Sequence, residues 1–381
     1  MSVEAKTPGQ LLKDLIAIPS VNPSFDGTGE ARIADFVEAF LANAGLQPQR
    51  QTVFPDGRDN VFATIGDRTG PAVLLEAHLD TVATEGWLTG SPFEPVEKGG
   101  RIFGRGACDT KGSLAVFLTV AAYFAKHPDR LATPLVFAAT IDEEDLQTGA
   151  FRLMEAGLEF RGAITGEPTL LDIIHAHKGV LRFQVESEGI AAHSAFPEKG
   201  ENAISKMSSV VSRLDEYARD LKNRLEHPTL GCGTVNIGVI RGGQAVNVVP
   251  DSCTIDVDRR LLPDETGETV LAEIRELLSD LDGIKVKEPL LNRLGIDTPK
   301  DSPFAIGLAD AVRREKGQCE FLSAPYMTNA TAYAAAGIPS LVFGPGNITD
   351  AHRPDESIEV EQLESAVRIL IDFLATPIPS A

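Results

Sequence analysis

Leu135-Val136-Phe137-Ala138-Ala139-Thr140-Ile141 is an almost uninterrupted apolar run that ends abruptly in acids, Asp142-Glu143-Glu144-Asp145. Such a run reads as a strand buried on both faces, and that requires helices on both sides of a sheet. The layout recurs along the chain. Val73-Leu74-Leu75-Glu76-Ala77 leads into His78 and Asp80; Gly162-Ala163-Ile164 leads into Glu167; Ser340-Leu341-Val342-Phe343 leads through Gly344-Pro345-Gly346 to His352. In open α/β sheets, ligand sites form beyond the carboxyl ends of the strands. Imidazoles and carboxylates gathered there are costly to bury unless a cation offsets them, so the pattern points to a metal-dependent hydrolase.

With 381 residues the chain exceeds one ordinary core, and two domains are expected. Thr7-Pro8-Gly9-Gln10 has the form of a helix start, with a hydroxyl cap, proline at the first position and Gln closing the capping box. Ile33, Phe36, Val37, Phe40 and Leu41 mark one face of a second helix, stopped by Gly45. From about residue 178 the strands alternate instead: Leu181, Phe183 and Val185, then Val235, Ile237 and Val239, then Cys253, Ile255 and Val257. Helical stretches at 202–225 and around Val270, Leu271, Ile274, Leu277 and Leu278, with a last strand at Ile284-Lys285-Val286, give the order β-α-β-β-α-β. The expected fold class is therefore α/β. Residues 1–177 and 293–381 would form a catalytic domain with a mostly parallel central sheet, and 178–292 an inserted ferredoxin-like α+β domain.

The 35 basic and 55 acidic residues give a formal net charge of −20 with no basic stripe, which argues against nucleic acid or an anionic membrane as partner. The apolar run from Leu114 to Ala125 is too short to span a bilayer. Met1 to Lys6 lacks the layout of a signal peptide. Cys108, Cys232, Cys253 and Cys319 show no C-x-x-C spacing, so reduced thiols and a cytoplasmic location are expected.

Each motif has a plainer alternative. His78-Leu79-Asp80 could place one group on a metal and let the other fix the imidazole tautomer, or be a strand-end histidine beside a surface acid. Asp109 sits among Gly104, Gly106 and Gly112, where glycines permit a sharp turn; the spacing fits no phosphate loop. Glu143 and Glu144 point apart in extended chain, so one could ligate while the other serves as general base, or both could belong to a solvated acidic loop. His193 could simply start a helix. Arg260 shares a strand face with Asp258 and could hold a substrate carboxylate, or merely pair with that acid. No G-x-S-x-G elbow supports a serine hydrolase.

Taken together, H-L-D, G-R-G-A-C-D-T-K-G, D-E-E, G-E-P-T, A-A-H-S-A-F-P-E-K-G-E-N-A-I, G-G-Q-A-V-N-V-V-P-D and G-P-G-N-I-T-D-A-H-R-P-D-E resemble the M20 family of metallopeptidases, in its acetylornithine deacetylase and succinyl-diaminopimelate desuccinylase branch. The resemblance covers nearly the whole chain. It implies two zinc ions per chain, with cobalt or manganese as substitutes: Asp109 bridging, His78 and Glu167 completing one site, Glu144 and His352 the other. It further implies that Asp80 orients His78, that Glu143 is the base, and that His193 stabilises the oxyanion from the partner subunit of a homodimer. For the substrate it favours Arg260, with Asn247, Lys178 and the Gly344 and Gly346 backbone as further contacts. Family members often carry an acid where this chain has Asn329, a candidate substrate contact; if that position reads the substrate side chain, its neutral amide cannot pair with a substrate ammonium. The implied reaction is hydrolysis of an N-acyl amino acid, with N-acetylornithine the leading substrate. Desuccinylase, carboxypeptidase and dipeptidase activities remain open, as does a binding-only relative.

Overall fold

In the computed structural model, residues 6–66, 70–88, 90–224 and 226–378 are described. Residues 1–5 of the leader argument and the last residue of the helix expected at 202–225 lie outside them. The chain divides into two compact units, one comprising 6–175, 298–322 and 328–378, the other 176–297 and 323–327. The short segment 323–327 joins the second unit although it lies well beyond the range that the sequence pattern marked out.

The first unit starts as its cap dictates. Thr7 Oγ1 accepts the Gln10 N–H at 3.2 Å and Gln10 Oε1 accepts the Thr7 N–H at 3.0 Å, opening helix α1 (Pro8–Ile16). There follow α2 (Ala31–Asn43), β1 (Gln49–Thr52), β2 (Asp59–Ile65), β3 (Ala72–His78), α3 (Lys111–Lys126), β4 (Leu135–Thr140), β5 (Phe160–Thr165) and β6 (Ile173–His177).

The second unit contains β7 (Gly179–Glu188), α4 (Ala203–Leu221), β8 (Thr234–Gly242), β9 (Ser252–Leu261), α5 (Gly267–Leu277) and β10 (Ile284–Val286), in the antiparallel order β8-β9-β7-β10. Its core joins Leu181, Phe183, Val185, Ile255 and Val257 to Met207, Val210 and Leu214 of α4 and to Val270 and Ile274 of α5. Alternation along β8 breaks at one place. The register shifts between Ile237 and Val239, so Val239 sits opposite Asp256 and is 38% exposed instead of continuing the apolar face.

Back in the first unit come α6 (Pro303–Lys316), α7 (Ala330–Ala335), β11 (Ser340–Val342) and α8 (Val360–Ala375). The central sheet is mixed. β4, β3, β5 and β11 are parallel neighbours, flanked by β2 and β6, which run antiparallel to them, and β1 pairs antiparallel with β2 at the edge. One face packs Val73, Leu75 and Phe137 under α1, α3 and α8; the other packs Leu74, Val136 and Ala138 against Ala332 and Tyr333 of α7. Burial on both faces is why these strands carry no alternation. Among the described residues no helix is long and apolar enough to cross a membrane.

His177, at the end of β6, is fully enclosed, and burial pushes its imidazole down to about 4. In the unfolded chain a histidine protonates near ~6.5. The stability gained by keeping it neutral is therefore complete above that pH, is lost as pH falls toward 4, and amounts to roughly 3 kcal/mol at most. His177→Gln should flatten the loss of urea stability between neutral pH and pH 4; a slope identical to wild type would assign that loss to other groups.

Candidate metal centre

Parallel pairing aligns the strand ends. His78 lies opposite Thr140, and Glu76 and Val342 both lie opposite Thr165. The chain leaving β3, β4, β5 and β11 thus brings the acids and histidines of the four motifs to one edge of the sheet.

His78 is 1% exposed, and its Nδ1 lies 3.0 Å from the carbonyl oxygen of Asp80, which places the proton on Nδ1. Nε2 is then free to face Asp109 Oδ1 at 3.0 Å and Glu167 Oε1 at 3.7 Å. The Asp80 carboxylate stands 3.4 Å from the ring and has other duties. It accepts the N–H groups of Glu143 (3.1 Å) and Glu144 (3.0 Å) and the Asn22 amide (2.8 Å). The imidazole is oriented first by a backbone carbonyl, and the acid anchors the next loop.

Asp109 stands between two histidines. Its Oδ1 meets His78, while Oδ2 lies 3.2 Å from His352 Nε2, which is also 3.2 Å from Glu144 Oε1. The Asp109 loop is held by Glu356, a residue to which the sequence motifs assigned no role. This buried carboxylate accepts the N–H groups of Gly106 (2.9 Å), Cys108 (2.8 Å) and Asp109 (3.0 Å) and the Arg105 guanidinium (2.7 Å). Gly106 adopts φ +81°, which makes the glycine necessary there. Lys111 Nζ, fully buried, donates to the carbonyls of Leu15 (3.1 Å) and Ile18 (2.8 Å) and so ties the loop to the end of α1.

Asp142 is no solvated acid. It is 2% exposed, receives Arg58 at 3.1 Å and Thr148 Oγ1 at 2.7 Å, and donates its N–H to Glu30. With its backbone fixed at φ +68°, Glu143 and Glu144 diverge. Two overlapping groups result, His78-Asp109-Glu144 and His78-Glu143-Glu167, each with ligand atoms within 4.8 Å of one another. Both are able to hold a metal ion.

The electrostatics state the need for one. Burial, with help from the neighbouring acids, pushes Glu143 up to about 8 and Glu144 to about 7, and raises Glu167 well above the carboxylate range. His352 is raised to about 11 by its bonds to Asp109 and Glu144. Burial works against a charge on His78, yet Asp109 and Asp80 hold its imidazole well above the usual value. These anions draw positive charge into the site, and a divalent cation meets the same demand. Imidazole nitrogens and carboxylate oxygens suit zinc or a related divalent ion. Cys108 stays outside the set: burial pushes its thiol up, and Sγ donates to the Asn347 carbonyl.

Other expected contacts fall elsewhere. The N–H of Gly344 is spent on Thr169 Oγ1 (3.2 Å), that of Gly346 on Gln362 Oε1 (2.8 Å), and Pro345 has none. That loop therefore offers no backbone donor to a substrate carboxylate. Asn329 is completely buried, its amide donating to Glu76 and Thr140, and it presents no surface to a substrate. Lys178, His193, Asn247 and Arg260 belong to the second unit. There Lys178 donates to the Cys232 carbonyl at 2.6 Å, Asn247 is exposed, and Arg260 pairs with Asp258 at 2.8 Å, an acid also held by Arg182. Arg259, on the apolar face, is fully buried and paired with Glu265.

A mixed α/β sheet with imidazoles and carboxylates gathered at its carboxyl edge defines a metal-dependent hydrolase. Comparison with known proteins bears this out. The sequence model of peptidase family M20/M25/M40 matches residues 74–376. Acetylornithine deacetylase of Myxococcus xanthus is 35% identical over 360 residues, covering 90% of this chain and 91% of that protein. Acetylornithine deacetylase of Proteus mirabilis is 34% identical, covering 96% and 95%. The fold matches that of an M20 family metallo-carboxypeptidase from Sulfolobus solfataricus with a TM-score of 0.78 at 17% identity, covering 97% of this chain and 99% of that one. The chain belongs to the M20/M25/M40 peptidase family and is a metallohydrolase of the acetylornithine deacetylase-like kind.

Glu356→Gln keeps an acceptor oxygen but turns an N–H toward donors. Zinc affinity, measured by chelator competition, should fall roughly 10–100-fold with the fold intact by circular dichroism. Unchanged affinity would remove Glu356 from the support of the site.

Proposed function

We propose that the protein is a di-zinc amidohydrolase that removes a small acyl group from an N-acyl amino acid, with N-acetylornithine as the leading substrate. The observation that carries the reading is the position of Asp109, which offers one carboxylate oxygen to each of two histidines. In this reading Asp109 would be shared by two metal positions, with His78 and Glu167 holding one and Glu144 and His352 the other. When bound, the metal pair would supply Lewis acidity toward the amide carbonyl and a water.

Glu143 would serve as the base that accepts a proton from an attacking water and returns it to the leaving nitrogen. Its Oε1 is steadied by Gln147 Nε2 at 3.2 Å, and cations beside it would favour the ionised, proton-accepting form. His193 Nδ1 accepts the Ala195 N–H at 3.0 Å, which leaves the proton of the neutral ring on Nε2, available to an oxyanion. We assign this contact to the partner subunit of a homodimer. An unpaired edge strand supports the assembly: β8 ends its sheet with Val239 and Ile240 exposed at 38% and 57%. Arg260 would take the substrate carboxylate, exchanging Asp258 for it, with Lys178 nearby, while Asn247, whose carbonyl accepts the Ser194 N–H, would contribute from beside His193. The four free cysteines fit a reducing, cytoplasmic setting.

Zinc- or cobalt-reconstituted protein should release acetate from N-acetyl-L-ornithine with kcat/KM of at least ~10⁴ M⁻¹s⁻¹, well above N-succinyl-diaminopimelate and a dipeptide. Preference for either of those would keep the chemistry and change the substrate, and no turnover of any amide would sink the proposal. Glu143→Gln should lower kcat by roughly 10²–10⁴-fold while metal stays bound; full activity would remove it as the base.

A further inference from the structure

Alternation along β3 puts Glu76 on the same face as His78, two residues before it, in a layer otherwise lined by Leu74, Val136, Ala138 and Tyr333. A carboxyl group in such a layer calls for donors, and those of Glu76 converge on Oε1, its Oε2 making no hydrogen bond among the described residues. Thr140 Oγ1 donates to Glu76 Oε1 at 2.6 Å, Asn329 Nδ2 donates to the same oxygen at 2.9 Å, and Asn329 Nδ2 also reaches Thr140 Oγ1 at 3.1 Å. All three side chains are 0% exposed. Asn329 stands at the start of α7, yet its side chain makes no helix cap, so the amide is committed to this triangle.

The triangle joins three segments, two of them at the points where they lead into the metal centre. Glu76 lies two residues before His78. Thr140 is the register partner of His78 and lies just ahead of Asp142 and the acids Glu143 and Glu144. We propose that Asn329 and Glu76 are a positioning pair that fixes the β3 and β4 ends relative to one another, and that residue 329 acts on the metal centre from beneath and not on the substrate side chain. The inference rests on His78 being a metal ligand, as in the proposed function. It accounts for the amide at 329. An acid there would set acceptor against acceptor at Glu76 Oε1, with no cation in the triangle to relieve it.

The test compares wild type, N329D and E76Q/N329D by zinc affinity from chelator competition, by the absorption spectrum of bound cobalt, and by kcat and KM on an amide that wild type hydrolyses. N329D should weaken zinc roughly 10–100-fold, shift the cobalt bands and lower kcat with KM near wild type. E76Q/N329D should recover most of each loss, because the amide introduced at 76 donates to the carboxylate introduced at 329. If N329D does not fold, the double variant decides alone: recovery of fold and zinc binding supports the pair, and no recovery overturns it. Wild-type zinc affinity and cobalt bands in N329D, or a change in KM confined to one substrate side chain, would also overturn it. Wild type that binds zinc but cleaves no amide would end the proposed function and leave the metal readouts of the pair standing; wild type that binds no divalent ion would end both.

Discussion

The structure depends on one electrostatic constraint, the crowding of Asp109, Glu143, Glu144 and Glu167 between the buried His78 and the solvent-facing His352. At contact distance and away from bulk solvent, like charges repel far more strongly than in water. The crowding is written into the acidities: Glu143, Glu144 and Glu167 are pushed up, and both histidines are pulled up to supply positive charge. No packing of apolar groups relieves such a site. Divalent cations do, and the family to which the chain belongs is defined by metal-dependent hydrolysis.

Holding these groups so close calls for a scaffold that is itself polar. The structure builds it from carboxylates used as acceptors. Asp80 takes two backbone N–H groups from the Glu143–Glu144 loop, Glu356 takes three from the Asp109 loop together with Arg105, and Asp142 is fixed by Arg58, Glu30 and Thr148. An ionised carboxylate fully supplied with donors is a stiff anchor, because each charge-assisted bond is stronger than its neutral counterpart. Several acids that look alike in sequence thus do opposite work, some facing the metal site and others supporting the chain behind it. The same division separates adjacent residues. Asp142 is structural, while Glu143 and Glu144 beside it belong to the centre.

What the sequence by itself determined is the local part. Apolar runs without alternation gave doubly buried strands, a Thr-Pro-Gly-Gln cap gave the first helix, and motifs placed directly after strands came together because parallel strands end on the same edge. Tertiary structure decided the rest. Glu356 and Asp109 are 247 residues apart, and Asn329 and Glu76 are 253 apart, so nothing in either neighbourhood announces the contact. A bulge turned Val239 outward where alternation had it facing in, and the N–H groups of Gly344 and Gly346 went to side chains that no local pattern could name. The physical reason is one of range. Periodicity and capping are settled within a few residues by backbone geometry, whereas the partner that satisfies a buried polar group is chosen by whatever the fold brings to within 3 Å of it.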